Sequence, residues 1–282
     1  MRSLLFVPAT SERKIGKAFA SDADGVIIDL EDAVALSEKA AARAALAGLL
    51  PSPLPLPCWI RINAMSTPFC HLDVTACVRA RVTGIVLPKA EAPSDIQAID
   101  WLMSQLEAEC GLPDRSVGLI AIIETARGLV KVDDIAAASP RLVRLMFGAI
   151  DLAADMSVST NDADGATAQA RFAITRASRA AGLAAPLDTA FTDITGLEEL
   201  EATTRRARAM GYAGKSCIHP CQVAVVNQVF SASPQELAWA RDVVQAFEKA
   251  ESQGLAAFKL QGEMIDYPVV ERARKLLESV SA

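Results

Sequence analysis

The chain has 282 residues, of which 51% are hydrophobic and 22% charged, so it can bury a large core and is unlike a disordered protein. Its formal net charge of −6 lacks the basic patch with which nucleic-acid binders hold phosphate. Six scattered cysteines indicate reduced thiols in a cytoplasmic protein. No apolar run approaches the length of a membrane span, and the first is cut by Pro8, so we expect neither a secretory signal nor a membrane partner.

Short apolar runs alternate with longer amphipathic stretches from the first residues onward. The first run is followed by a helical pattern for which Ser11 is a suitable N-cap. About eight strand and helix pairs follow one another, which is the number that closes a parallel barrel. The predicted strands contain residues 4–7, 25–30, 59–63, 84–89, 119–124, 143–148, 185–190 and 214–219.

This alternation predicts an α/β fold, a (β/α)₈ TIM barrel with a C-terminal helical arm. A doubly wound open sheet is the alternative, but no glycine-rich dinucleotide or phosphate loop follows the first strand. We assign residues 1–230 to the barrel and residues 231–282 to a helical extension and arm. The arm would consist of helical stretches, a short extended segment at 258–266 and a final helix.

Polar side chains stand where the predicted strands end. In a parallel barrel the carboxyl ends of all strands meet at one mouth, so these side chains should face a common cavity. Carboxylates crowded in this way repel one another unless a cation joins them. The residues are Asp29, Glu31, Asp32, Arg61, Asn63, Lys89, Glu124, Asp151, Asp188 and His219.

Glu124 and Asp151 are the best candidates for metal ligands, since each follows a strongly apolar run on successive strands. Two carboxylates with the remaining positions left to water and substrate is a usual way of holding Mg²⁺. Alternative interpretations remain open at this point. Asp151 could cap a helix that begins at Leu152, and Lys89 could simply neutralise Glu124 or Asp29.

A zinc site is disfavoured. Cys217, His219 and Cys221 lack the ordinary spacing of zinc ligands and have no second ligand pair. His219 precedes Pro220 and is interpreted as a structural hydrogen-bonding residue rather than a base.

Several motifs in order resemble the citrate lyase β-subunit family, which belongs with the malyl-CoA and citramalyl-CoA lyases in the HpcH/HpaI aldolase superfamily. The similarity extends over nearly the whole chain. The matching segments are residues 2–8 (RSLLFVP), 29–34 (DLEDAV), 61–63 (RIN), 86–89 (VLPK), 123–128 (IETARG), 147–152 (FGAIDL), 214–220 (GKSCIHP) and 264–268 (MIDYP).

The resemblance implies a lyase that cleaves or forms a carbon–carbon bond in a 3-hydroxyacyl thioester, with Mg²⁺ as cofactor. Glu124 and Asp151 would hold the metal, and Glu31, Asp32 and Lys89 would surround it. Arg61 would bind the keto-acid part of the substrate, which Glu124 would also contact. A homotrimer or a hexamer is expected, in which Asp266 of the arm acts as acid and base.

The chain departs from this family pattern at the mouth. Ile150 stands where relatives often carry Asn or Glu, and Ser216, Cys217 and Cys221 replace other residues around His219. These differences leave the acyl group open among malyl-, citramalyl- and citryl-CoA. Two other functions also remain: a citrate lyase β subunit acting on a carrier-protein thioester, and a non-catalytic relative that binds keto acid or CoA.

Overall fold

The computed structural model describes residues 1–80, 82–158 and 167–281, the side chains of residues 279–281 excepted. Eight parallel strands close into a barrel in chain order, β1 to β8, and β8 pairs with β1. The predicted TIM barrel is therefore confirmed. The strands are β1 (Ser3–Pro8), β2 (Gly25–Asp29), β3 (Cys58–Arg61), β4 (Gly84–Leu87), β5 (Gly118–Ile123), β6 (Leu142–Phe147), β7 (Ala184–Asp188) and β8 (Gly214–Cys217).

Helices follow every strand and cover the outside of the barrel, as a parallel sheet with short crossovers requires. Ser11 caps the first helix, where its hydroxyl accepts a hydrogen bond from the backbone N–H of Lys14. The helices are α1 (Glu12–Phe19), a 3₁₀ turn (Leu36–Glu38), α2 (Lys39–Leu49), α3 (Cys70–Arg79), α4 (Pro93–Glu109), α5 (Ala126–Val130), α6 (Val132–Ala136), α7 (Ala149–Asp155), α8 (Ala168–Ala180), α9 (Leu197–Ala209) and α10 (Pro220–Phe230).

The chain divides into two compact units, Met1–Phe230 and Ser231–Ala282. The second unit contains α11 (Pro234–Glu251), an antiparallel hairpin of β9 (Phe258–Leu260) and β10 (Glu263–Ile265), and α12 (Tyr267–Ser281). It has an apolar core of its own, formed by Ala240, Val243, Phe247, Ile265, Val270 and Ala273. Within the described ranges, no helix is both long and apolar enough to cross a membrane.

Large apolar side chains fill the barrel interior behind the carboxyl ends of the strands. Trp59 occupies the space beside Gly84, where a Cβ atom would come within 2.2 Å of the indole ring. Because this layer is packed, the cavity described below lies toward the carboxyl ends of the strands. The interior cluster consists of Leu4, Ile27, Trp59, Val86, Ile120, Ile122, Met146 and Leu187.

A buried ion network lies at the amino ends of β5 and β6, away from that open space. The guanidinium of Arg141 is fully buried and donates hydrogen bonds of 2.8 Å to both carboxylate oxygens of Glu107, which is also fully buried. It also donates to Asp100 Oδ1 at 2.6 Å and to the carbonyl of Val117 at 2.9 Å. The network ties α4 to the amino end of the sheet, opposite the end at which TIM-barrel active sites are built, so its role is structural.

We predict that Arg141→Ala lowers the free energy of unfolding by about 3–5 kcal/mol, because Glu107 would be left buried and unpaired. Arg79→Ala is the matched control. Arg79 pairs with Glu109, which lies on α4 like Glu107, but both side chains of this pair are more than half exposed. That change should cost less than about 1 kcal/mol. Urea unfolding followed by circular dichroism measures both, and equal losses would contradict the structural role.

Candidate active site

A cavity of about 480 Å³ opens at the carboxyl ends of the barrel strands. Acidic residues, one arginine and a set of apolar side chains share its wall. The lining residues on which the site depends are Phe6, Asp29, Asp32, Arg61, Ile122, Glu124, Met146, Gly148, Ile150, Asp151, Thr189, Ala190, Ser216 and Ile218.

Glu124 stands directly after β5 and is only 2% exposed. Its Oε1 accepts a hydrogen bond of 2.9 Å from the backbone N–H of Lys89. Lys89 reaches this position with φ of 49°, a left-handed conformation that is uncommon for a residue with a side chain. Gly148 packs against the other side of the carboxylate, where a Cβ atom would lie 2.4 Å from Oε2. Glu124 is therefore held from both sides.

Asp151 lines the same cavity as Glu124. Helix α7 begins at Ala149, and its N-cap is Gly148, so Asp151 is not the helix cap that one interpretation of the sequence proposed. Burial, followed by the negative charges of Asp151 and Glu31, raises the pKa of Glu124 to about 8. Two carboxylates in this arrangement are stabilised by a shared cation.

Arg61 ends β3 and lies against the acid that ends β2. Its Nε and Nη2 donate hydrogen bonds of 2.8 and 2.6 Å to the two oxygens of Asp29. Its Nη1 lies 3.2 Å from Glu31 Oε2 and 3.6 Å from Asp32 Oδ2, and the guanidinium is stacked over Phe6. Asp29 thus fixes the plane of the guanidinium, a contact that the sequence analysis did not assign.

Glu31 and Lys89 form a second ion pair at the mouth, with Lys89 Nζ 2.7 Å from Glu31 Oε1. Lys89 therefore pairs directly with Glu31, whereas one interpretation of the sequence paired it with Glu124 or Asp29. Burial raises the pKa of Glu31. Asp32 differs from its neighbours, since 60% of its side chain is exposed. The structure brings all of these predicted site residues to one end of the barrel.

Three strand-end residues do not join them, so the prediction that all strand-end charges face one cavity is wrong in part. Asp188 lies on the outer side of β7, because Leu187 takes the inner side and successive strand residues alternate. Asn63 is buried and hydrogen-bonded to Asp73 and to the carbonyl of Leu30. His219 is exposed.

Asp188 instead belongs to a buried ion cluster between the barrel and helix α8. Lys215 Nζ lies 2.5 Å from Asp188 Oδ2, and Arg171 Nε lies 2.8 Å from Oδ1. Although burial opposes ionisation, the charges of Lys215 and Arg171 hold the pKa of Asp188 below its usual value. Lys215 follows directly after Gly214 at the start of β8, where the sequence offers no sign of a buried charge.

His219 contacts Cys221, with Nδ1 2.9 Å from Sγ, and it also accepts a hydrogen bond of 3.3 Å from the backbone N–H of Cys221. This fits its interpretation as a structural hydrogen-bonding residue at the start of α10. All six cysteines have free thiols, and Cys217 is buried while Cys221 is exposed.

Asp266 belongs to the second unit, immediately before α12. Its Oδ1 accepts a hydrogen bond of 3.3 Å from the backbone N–H of Val269, so the carboxylate caps the helix. The side chain is partly exposed. Within its own unit, Asp266 therefore has a structural role that any chemical role must accommodate.

The donor atoms of the mouth suit a hard divalent cation. Glu124 and Asp151 offer carboxylate oxygens, and the lining formed by the described residues contains no histidine or cysteine. Among the described residues, no group of three or more His, Cys, Asp or Glu side chains forms a complete metal cage. Two protein ligands with space for water and substrate match Mg²⁺ better than zinc, which takes three or four protein ligands.

The model of the HpcH/HpaI aldolase/citrate lyase family matches residues 2–220. The chain belongs to this family. Within the HpcH/HpaI aldolase/citrate lyase family, the chain is 33% identical to the citrate lyase subunit beta of Haemophilus influenzae, over 98% of this chain and 96% of that one. It is 34% identical to the L-malyl-CoA/beta-methylmalyl-CoA lyase of Cereibacter sphaeroides, over 100% and 96% of the two chains.

Solved structures of this family have the same barrel. The protein CitE from Mycobacterium tuberculosis, in complex with magnesium, acetoacetate and coenzyme A, superposes with a TM-score of 0.83. The two sequences are 36% identical, and the match covers 100% of this chain and 98% of that chain. The family resemblance inferred from the motifs is thus confirmed.

We predict that Gly148→Ala weakens Mg²⁺ binding by about tenfold or more, because the new methyl group would displace the Glu124 carboxylate. Gly48→Ala is the matched control. A Cβ at Gly48 of helix α2 meets nothing within 4 Å. Isothermal titration calorimetry with Mg²⁺ compares the two variants, and unchanged affinity in Gly148→Ala would show that the close approach of Gly148 does not position Glu124.

Proposed function

We propose that the protein is a Mg²⁺-dependent carbon–carbon lyase acting on a 3-hydroxyacyl thioester such as citramalyl-CoA, malyl-CoA or citryl-CoA. Cleavage gives a keto acid and acetyl- or propionyl-CoA, and the reverse reaction joins them. The observation that carries the proposal is that Glu124 and Asp151 line one cavity beside Arg61. The names of the relatives and the magnesium and coenzyme A held by CitE support the same chemistry.

Glu124 and Asp151 would hold Mg²⁺, with Glu31 and Asp32 placed to bind its water molecules and Lys89 balancing Glu31. When bound, Mg²⁺ supplies Lewis-acid stabilisation of the negative charge on the keto-acid oxygens. Burial and the charges of Asp151 and Glu31 raise the pKa of Glu124 to about 8, which supports this assignment because a shared cation would relieve the repulsion between these acids.

Arg61 would orient the carboxylate and the adjacent oxygen of the keto acid. Its Nε and Nη2 are held by Asp29, so the guanidinium enters the cavity with its orientation already set. A fixed donor stabilises developing charge without reorganisation during the reaction. Asp29 acts here through Arg61 and is a positioning residue.

In the cleavage direction, the proton leaves the 3-hydroxyl group and the bond between C2 and C3 breaks. The electron pair of that bond passes to the thioester enolate, and C2 then takes up a proton. We assign the proton transfer at C2 to Asp266, which resembles the acidic residue of the family arm. We further propose that the arm serves a neighbouring subunit in a homotrimer or a hexamer.

Two alternatives remain as outcomes of the same assays. A citrate lyase β subunit would cleave citryl thioester on a carrier protein much better than citryl-CoA. A non-catalytic relative would bind a keto acid or CoA without releasing product. The chain is about equally similar to the citrate lyase subunit and to the malyl-CoA lyase, so the first alternative stays open.

We predict that Glu124→Gln reduces Mg²⁺-dependent keto-acid release by about 100-fold or more, because an uncharged amide is a poor Mg²⁺ ligand. Release from each CoA thioester is followed as the phenylhydrazone, with Mg²⁺ and with EDTA. Glu198→Gln is the control, since Glu198 is exposed on α9 outside the cavity. A folded and fully active Glu124→Gln protein would refute the metal site.

We predict that Asp266→Asn lowers kcat by about 100-fold while leaving the melting temperature nearly unchanged. Asn is as good an N-cap as Asp, so it keeps the hydrogen bond to Val269 but loses the titratable group. Asp266→Ala removes both functions and should also lose about 1 kcal/mol of stability. Full activity of Asp266→Asn would confine Asp266 to helix capping.

The origin of the arm is tested by co-expressing Glu124→Gln and Asp266→Asn chains with different affinity tags. If the arm serves a neighbouring subunit, mixed assemblies purified through both tags regain part of the activity, because some sites combine an intact mouth with an intact arm. If each arm serves its own chain, the mixed assemblies stay as inactive as either parent.

A further inference from the structure

The charges of the mouth restrict which keto acid it can hold, provided that the proposed lyase function is correct. Five carboxylates meet there among the described residues, and two cationic side chains face them. Arg61 is bound to Asp29, and Lys89 is bound to Glu31. The acids are Asp29, Glu31, Asp32, Glu124 and Asp151.

When one divalent cation and one substrate carboxylate are added, the net charge of the mouth is still negative. A second substrate carboxylate would add a further charge for which the described lining offers no free cation. Residues 159–166, which lie outside the described ranges, contain neither Lys nor Arg and include two Asp. Placing like charges together without a counter-ion opposes binding.

Part of the wall of the mouth is apolar. Ile150 is the residue next to Asp151 and is 46% exposed, so its side chain borders the open space beside the metal ligand. Ile122, Met146 and Ile218 continue the same surface. A methyl group or a hydrogen atom would contact this wall favourably, whereas a carboxymethyl group would lose hydration without gaining a partner.

Other cations line a neighbouring cavity. A separate cavity of about 630 Å³ is lined by Arg171 and Lys215, and it shares Ile150 and Thr189 with the mouth. Both cations are engaged by Asp188 in the buried cluster on the outer side of β7. Ile150 therefore lies at the border between the mouth and this second cavity, whose third cation, Arg206, pairs with Glu199.

We infer that the mouth selects a monocarboxylic 2-oxo acid with hydrogen or a small alkyl group, and that Ile150 sets this preference. Pyruvate and glyoxylate have this chemistry, and oxaloacetate does not. The substrate thioesters are accordingly of the citramalyl or malyl class. The single carboxylate is used at the cation and Arg61, and the remaining substituent contacts Ile150.

The test measures kcat/KM of the full-length protein with Mg²⁺ for citramalyl-, malyl- and citryl-CoA. We expect citramalyl-CoA or malyl-CoA to exceed citryl-CoA by about 100-fold, since the extra carboxylate lacks a partner. Equal or better cleavage of citryl-CoA overturns the inference while leaving the lyase function intact. If the protein cleaves none of the three thioesters and does not bind Mg²⁺, the lyase function itself is overturned.

Ile150→Arg supplies the missing cation. By raising kcat/KM for citryl-CoA, it should reduce the preference for citramalyl-CoA or malyl-CoA over citryl-CoA to about tenfold or less. Ile194→Arg is the matched control, since Ile194 is also 46% exposed but lines neither cavity. The control should keep the parent preference.

Because Arg at position 150 can also pair with Asp151, Mg²⁺ affinity is measured for each variant. If Ile150→Arg loses Mg²⁺, Ile150→Asn replaces it, offering a neutral donor to the second carboxylate without a charge beside the metal. A substrate preference that neither variant shifts, in proteins that still bind Mg²⁺, removes Ile150 as its cause.

Discussion

The mutual repulsion of buried carboxylates is the constraint on which the mouth of this barrel depends. Glu124 is almost fully buried, and burial together with Asp151 and Glu31 raises its pKa to about 8. Such an arrangement is costly for the protein alone and becomes favourable only with a cation. Lys89 serves the site twice, since its backbone N–H holds Glu124 and its side chain neutralises Glu31.

The rest of the fold supplies rigidity around that charge cluster. Large apolar side chains such as Trp59 fill the barrel interior behind the carboxyl ends of the strands, and the cavity lies where the strands end. The network of Arg141 and Glu107 secures the opposite end of the sheet. Stability and chemistry are thereby divided between the two ends of one barrel, as the architecture commonly allows.

The same division explains how a family fold can change its substrate. In the proposed function Glu124 and Asp151 hold Mg²⁺, whereas the substituent of the keto acid would meet neighbouring side chains that take no part in metal binding. Ile150 is one residue away from Asp151 and borders both cavities. A change at that position alters the contact with the substrate and leaves the ligand carboxylates in place.

Much of the fold and site could be predicted because the relevant signals are local. Apolar runs of four to six residues separated by amphipathic stretches indicate parallel strands and helices, and eight repeats indicate a closed barrel. A polar residue after a buried run marks a strand end, which brought Glu124 and Asp151 to one mouth in the prediction. Motifs such as residues 147–152 added the family, which no count of strands could supply.

Tertiary structure decided which charges pair and which way they face. Asp188 is the last residue of β7 and Glu124 directly follows β5, yet Asp188 points to the helices, because a shift of one residue reverses the side of a strand. Its partner Lys215 lies 27 residues away along the chain, and Asp29 lies 32 residues from Arg61. The sequence by itself determined the elements and the type of chemistry, since these depend on neighbouring residues. Ion pairing and strand register depend on contacts between distant segments, and those arise only when the barrel closes.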